Sequence, residues 1–121
     1  MKSTWFAVGA FVIALSIAAG ALGAHALRRV LDAAALDLWH TACRYLLIGG
    51  LGLLAAGLAA ELRPAPGWGA AGWCLLVGSA VFSGTVGALA VGGPRWLGAV
   101  TPVGGVLLIA GYVLLGLSAL R

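Results

Sequence analysis

Four stretches of about twenty apolar residues, separated by short breaks, dominate this chain: Trp5 to Ala24, Thr41 to Ala60, Trp68 to Val91 and Leu97 to Leu120. A run of that length, wound as a helix rising about 1.5 Å per residue, spans roughly 30 Å of hydrocarbon. The runs do not alternate polar with apolar residues, and an open sheet in lipid would strand its backbone N–H and C=O groups, so strands are excluded. Composition leads to the same solvent. The chain is 63% hydrophobic and 8% charged. At 121 residues it cannot hide that much apolar surface from water, because small domains keep a large surface fraction. A soluble globular protein, a disordered chain and a nucleic-acid binder are therefore excluded.

The expected architecture is all-α: an antiparallel bundle of four transmembrane helices forming one domain over residues 1–121. The opening Met1-Lys2-Ser3, the apolar stretch after it and Ala24-His25-Ala26 imitate a secretory signal, but the stretch exceeds a usual signal core and reads as a retained span. The first connection, His25 to His40, has room for structure. Asp32 can cap a helix and Ala33-Ala34-Ala35-Leu36 favour one, so a single helix from Ala33 through Ala60 is expected, with its first turns at the membrane interface and Trp39 as an anchor there. Pro64 and Pro66 stop this helix, Gly67 opens the next, and Gly92-Gly-Pro-Arg-Trp96 makes the last turn.

The net charge of +4 comes from Lys2, Arg28, Arg29, Arg44, Arg63, Arg95 and Arg121, all at or near the ends of apolar runs. Cations so placed snorkel to anionic headgroups. The Arg28-Arg29 pair leads to the expectation that the first and third connections are cytoplasmic and the N-terminus outside, while the near balance of charge leaves insertion in both orientations open. Cys43 and Cys74 lack metal-ligand spacing and read as small apolar fillers.

Helices in lipid associate through small residues that let backbones approach. In the third run Ala80, Gly84, Ala88 and Gly92 recur every four residues, beside Ser79, Ser83 and Gly87. Ser16, Gly20 and Ala24 recur every four in the first run, and Gly104, Gly111 and Ser118 every seven in the fourth. These faces are expected to point inward, so Gly84→Leu is expected to disrupt the bundle.

Gly20-Ala-Leu-Gly-Ala-His-Ala-Leu27, Trp39-His-Thr-Ala-Cys-Arg-Tyr45, Phe82-Ser-Gly-Thr85 and Trp96-Leu-Gly-Ala-Val-Thr-Pro-Val-Gly-Gly-Val106 occur in that order. In them the chain resembles the small four-span bacterial inner-membrane family known as domain of unknown function 423, which is similar to transmembrane protein 256 of animals. The resemblance covers nearly the whole chain and implies four helices, a bacterial cytoplasmic membrane and no established activity. Gly49 stands where that family tends to carry histidine and Gly87 where it tends to carry an aromatic, so no histidine-bound metal or haem is expected.

Two places carry candidate chemistry. His25, Asp37, His40 and Arg44 gather at one interface, the last three on one helix face. They can hold a lipid headgroup, against the plainer reading of a solvated polar face. An arginine just inside the hydrocarbon must snorkel or pair, so an Asp37–Arg44 contact, direct or through water, is expected. The second place is Thr101-Pro-Val-Gly-Gly105. Thr101 suits an N-cap and Pro102 the first helical position, so the fourth helix is expected to start at Pro102 after a lead-in over Leu97 to Val100. Its free N–H groups would suit an anion near Thr101, Gly104 and Gly105, faced by Ser83 and Thr85. The plainer reading is a proline-softened span with packing glycines.

The only acidic residues, Asp32, Asp37 and Glu61, lie outside the middle of every run, which argues against proton-coupled transport. No nucleophile constellation, phosphate loop or metal cluster is present, so neither catalysis nor a cofactor is expected. The leading expectation is a non-enzymatic membrane protein, either an accessory or structural subunit of a membrane complex or a self-associating bundle. Its partners would be membrane lipids and other subunits or copies of itself. The alternatives are a small channel or carrier using the Thr101–Gly105 helix start, and a lipid- or quinone-binding protein with its ligand against Trp39, Arg44 or Trp96.

Overall fold

The computed structural model describes residues 3–121, which leaves Lys2 outside. Helix α1 runs over Thr4–Ala24, α2 over Ala33–Leu62, α3 over Pro66–Ala90 and α4 over Leu97–Leu120, with a single 3-10 turn at Leu27–Arg29. All four helices are long and apolar enough to cross a membrane. The architecture is the expected four-span bundle, and α2 is one continuous 30-residue helix that begins in the first connection.

The helix ends follow from local chemistry. Ser3 Oγ accepts from the Phe6 N–H at 3.2 Å, and Asp32 Oδ1 from the Ala35 N–H at 2.8 Å, each supplying an acceptor to a donor that the first helical turn leaves free. Pro66 occupies the first turn of α3, where its missing N–H costs nothing. At the other end of α3, Gly92 has φ +94°, its N–H donates to Leu89 O at 3.2 Å, and the Gly93 N–H donates to Ala88 O at 2.7 Å. That left-handed residue closes the helix. Gly92 is therefore a turn residue and not the last rung of a packing ladder.

Packing follows chain order: α1 lies on α2, α2 on α3 and α3 on α4, while α2 barely meets α4. Beyond its neighbour, α1 reaches α3 through Trp5, whose ring stands edge-on to Trp73 at 5.2 Å and lies where a Cβ on Gly72 would have to go. The core is small, with Leu53 and Leu75 fully buried and Leu108 beside them. Glycines supply the rest of the contact. A Cβ on Gly9 would stand 2.8 Å from Gly50 O, one on Gly78 3.0 Å from Gly104 O, and one on Gly57 would collide with the Phe6 backbone. These are backbone-to-backbone approaches that no side chain can relax, and they replace the hydrophobic drive that lipid removes.

The ladder of Ala80, Gly84 and Ala88 does not take part. Ala80 and Gly84 are exposed, Ala88 is half-buried, and nothing lies within 4 Å of a Cβ built on Gly84. In α1 Ser16 is buried, but Gly20 also faces open space and Ala24 is exposed. Gly104, Gly111 and Ser118 are buried, Gly111 against Leu75. The expectation for α3 fails because α2 and α4 are held by its neighbouring faces, α2 through Ser79, α4 through Gly78 and Phe82, and both through Leu75.

Candidate functional site

The polar residues of the first connection end up on the surface. His25 closes α1, its backbone N–H donating to Ala21 O at 3.2 Å, and its side chain is exposed beside Arg28 and Arg29. Asp37 and Arg44 are both exposed, His40 is half-buried, and no ion pair or hydrogen bond joins Asp37 to Arg44 among the described residues. Seven residues put them two turns and about 10 Å apart along the axis, beyond direct reach once each side chain turns to solvent. Trp39 is more than an interfacial anchor: Nε1 donates to Ala19 O at 2.7 Å, tying α2 to α1. Gly23 makes this possible, since a Cβ there would stand 2.9 Å from that nitrogen and 3.2 Å from His40 Cε1.

The second candidate is corrected outright. Helix α4 begins at Leu97, and Pro102 lies inside it. The Leu97, Gly98 and Ala99 N–H groups donate to Pro94, Arg95 and Trp96 carbonyls at 3.0–3.1 Å, so the preceding turn already occupies the donors that an anion would need. Thr101 is no cap. Its hydroxyl lies 3.1 Å from Leu97 O and 2.6 Å from Thr85 Oγ1, which in turn reaches Val81 O at 2.8 Å. Two hydroxyl protons are shared among these oxygens, locking α3 to α4. Gly104 lies against the Phe82 backbone and Gly105 near its ring. Ser83 takes no part in this lock.

Instead, Ser83 lines a groove of about 420 Å³ formed by α1, the first half of α2 and the second half of α3. Leu15 and Ala19 come from α1; Trp39, Ala42, Cys43 and Leu46 from α2; Ser79, Ala80, Gly84, Gly87 and Ala88 from α3, with Val91 just past its end. Ala80, Gly84 and Ala88 of α3 therefore line a space rather than a helix contact. Ser79 Oγ donates to Leu75 O at 2.6 Å, whereas Ser83 Oγ is buried with no hydrogen-bond partner. Sequence reasoning missed the groove because a stripe of small residues reads the same whether or not a helix lies on it.

Arg63 was also missed. It was expected to snorkel, yet its guanidinium donates to Ser118 O at 2.7 Å and lies 6.0 Å from the Trp68 ring centre, while Trp68 Nε1 donates to Arg63 O at 2.8 Å. A cation on the last carbonyls of a helix is favourable for the helix dipole and satisfies acceptors that the helix leaves open. Among the described residues no group of three or more His, Cys, Asp or Glu could hold a metal ion, and both cysteines are free.

Residues 19–105 match the family described as "Protein of unknown function (DUF423)". The chain belongs to this family. It is 37% identical over 115 residues to a UPF0382 membrane protein of Staphylococcus saprophyticus, covering 94% of each chain. It is 35% identical to the UPF0382 membrane protein YwdK of Bacillus subtilis, again over 94% of each. A UPF0382 membrane protein of the fission yeast Schizosaccharomyces pombe is 37% identical, over 87% of this chain and 92% of its own. No solved structure matches. With four apolar helices and bacterial relatives of this kind, the DUF423 chain is a multi-pass protein of the bacterial inner membrane.

Proposed function

We propose that the chain is a non-enzymatic structural or accessory subunit of a membrane assembly, or a bundle that associates with its own copies. One observation supports this reading above the others. Inside the spans Trp39 on Ala19 and Thr85 on Thr101 tie one helix to another, while Asp32, Asp37 and every described arginine are exposed. A pump or enzyme needs a titrating or nucleophilic group at depth, and an intramembrane charge is the usual mark of one. A scaffold needs only backbone-close packing and free outer faces. Here α1 and α4 each pack chiefly on one neighbour and leave residues such as Phe11, Ile17, Val106 and Ile109 open to lipid or to another helix.

The test is the native mass of the protein extracted in mild detergent, together with the proteins that accompany it. The expected result is a defined complex larger than one chain. A lone monomer from several detergents and lipid nanodiscs would sink the reading. The channel reading loses its selective point, since the Thr101–Gly105 segment is helix interior. Within the proposed role, exposed His25, Asp37 and Arg44, with half-buried His40 among them, would meet lipid headgroups at one membrane face.

A further inference from the structure

Three helix ends meet at the membrane face opposite the first connection: the end of α2, the start of α3 and the end of α4. Between them lies a cleft of about 270 Å³, whose wall includes Arg63, Ala65, Gly67, Ser118 and Arg121 and no acidic side chain. The start of α3 has no side-chain cap, and the Ala65 and Gly67 N–H groups donate to no backbone carbonyl of the described residues. Free N–H groups at a helix start favour an anion. Many such starts meet only water, and the residue that sets this one apart is Ser118. It is only 4% exposed. Its carbonyl accepts from Arg63, but its hydroxyl bonds to no described residue, whereas those of Ser16, Ser79, Thr85 and Thr101 reach backbone carbonyls. The hydroxyl is aimed at the first turn of α3, since a Cβ on Gly67 would collide with Ser118 Oγ. Unlike Ser83 Oγ, it is not sealed off from the space beside it. An almost buried polar group without a partner calls for one.

The donors around this cleft narrow the occupant. Arg63 Nη2 covers Ser118 O at 2.7 Å and Ala119 O at 3.4 Å, while Nε and Nη1 donate to no described residue. Arg121 adds a second, exposed guanidinium. The opposing charges nearby are Glu61, which lies off the cleft wall, and the main-chain carboxylate of Arg121. Two guanidinium groups, a hydroxyl and two backbone N–H groups come from three helix ends, so they approach from different directions. A carboxylate offers two oxygens in one plane. A phosphate presents its acceptors around a tetrahedron and can answer such a set, with charge-assisted bonds to the arginines. At about 30 Å³ per non-hydrogen atom, the share of a liquid water molecule, the cleft holds roughly nine such atoms. That is a phosphate with the carbons esterified to it. The ends of the spans also lie at the level of the polar headgroup region.

We propose that the cleft between the start of α3 and the end of α4 binds a phosphate group, held by Ser118 Oγ, the Ala65 and Gly67 N–H groups, Arg63 and Arg121. This stands apart from the association proposed above, and its test reads ligand rather than mass. The delipidated protein, in an uncharged detergent at low salt, is titrated with phosphatidylglycerol bearing eight-carbon chains and with inorganic phosphate. Diacylglycerol with the same chains, which has no phosphate, serves as control. Saturable one-to-one binding of at least one phosphate probe is expected, with the diacylglycerol much weaker. Binding of the lipid alone assigns the site to a membrane headgroup, and binding of inorganic phosphate as well assigns it to soluble phosphates. Ser118→Ala removes only an unpartnered hydroxyl, so the protein should fold as before while affinity falls about tenfold, the worth of a hydrogen bond to a charged group. Arg121→Gln should lower affinity about threefold, as befits an exposed charge. Arg44→Gln, near the opposite membrane face, should leave it unchanged. Absence of saturable binding by either phosphate probe, equal binding of diacylglycerol, or unchanged affinity in Ser118→Ala would each overturn the proposal. So would an equal loss in Arg44→Gln and Arg121→Gln, which would mark attraction to net charge without a site. If Ser118→Ala fails to fold, the comparison of Arg121→Gln with Arg44→Gln decides.

Discussion

Gly57 and Gly84 show how much one residue's surroundings matter in a chain with 20 glycines. Gly57 lies against the Phe6 backbone and Gly84 against nothing. Gly57→Ala must push two helices apart and should cost about 1–3 kcal/mol, in line with overpacking a filled core. Gly84→Ala should change stability by less than about 0.5 kcal/mol. Thermal unfolding of the two variants in one detergent checks both, and equal losses would contradict the packing described. Thr101→Val keeps the shape and removes the bond to Thr85, so a loss of about 0.6–1 kcal/mol is expected by the same measurement. The periodicity of small residues was plain in the sequence, but its direction was not. The helices are apolar nearly all round, so no polar side marks which face turns inward, and Ala80, Gly84 and Ala88 looked as fit for a contact as Gly78 and Gly104 proved to be.

The helices themselves were the most legible feature, because hydrocarbon thickness fixes their length and because Asp32 and Gly92 mark ends with recognised chemistry, although Pro66, read as a stop for α2, opens α3 in place of Gly67. The start of α4 was misjudged for a physical reason. Thr-Pro is a sound start signal, but carbonyls of the turn before it already accept from the Leu97, Gly98 and Ala99 N–H groups, so the helix was under way when it met the proline. The role of Arg63 was hidden because its acceptor, Ser118 O, lies 55 residues away in the chain. Two tests belong at this level. Gly92→Ala places a side chain at φ +94° and should cost about 1–2 kcal/mol through strain at the end of α3. Arg63→Ala should cost about 1 kcal/mol and leave the end of α4 more open to carboxypeptidase, whereas Arg44→Ala, exposed and unbonded among the described residues, should do neither.

At the scale of the whole molecule, the order of packing repeats the order of the chain. The α1–α2, α2–α3 and α3–α4 pairs carry nearly all the contact. The groove arises from this arrangement, since α1 leaves the second half of α3 uncovered where Ala80 and Gly84 stand. No single run of sequence contains that space, which is why reading the chain element by element could not reveal it. The pairing in series also bears on biogenesis. Each rod leans on the one synthesised just before it, so assembly can keep pace with the ribosome, one hairpin settling before the next emerges. A few groups must wait: Trp5 for Gly72 and Trp73, the Ile48 carbonyl for the Tyr112 hydroxyl, and Arg63 for the last turn of α4.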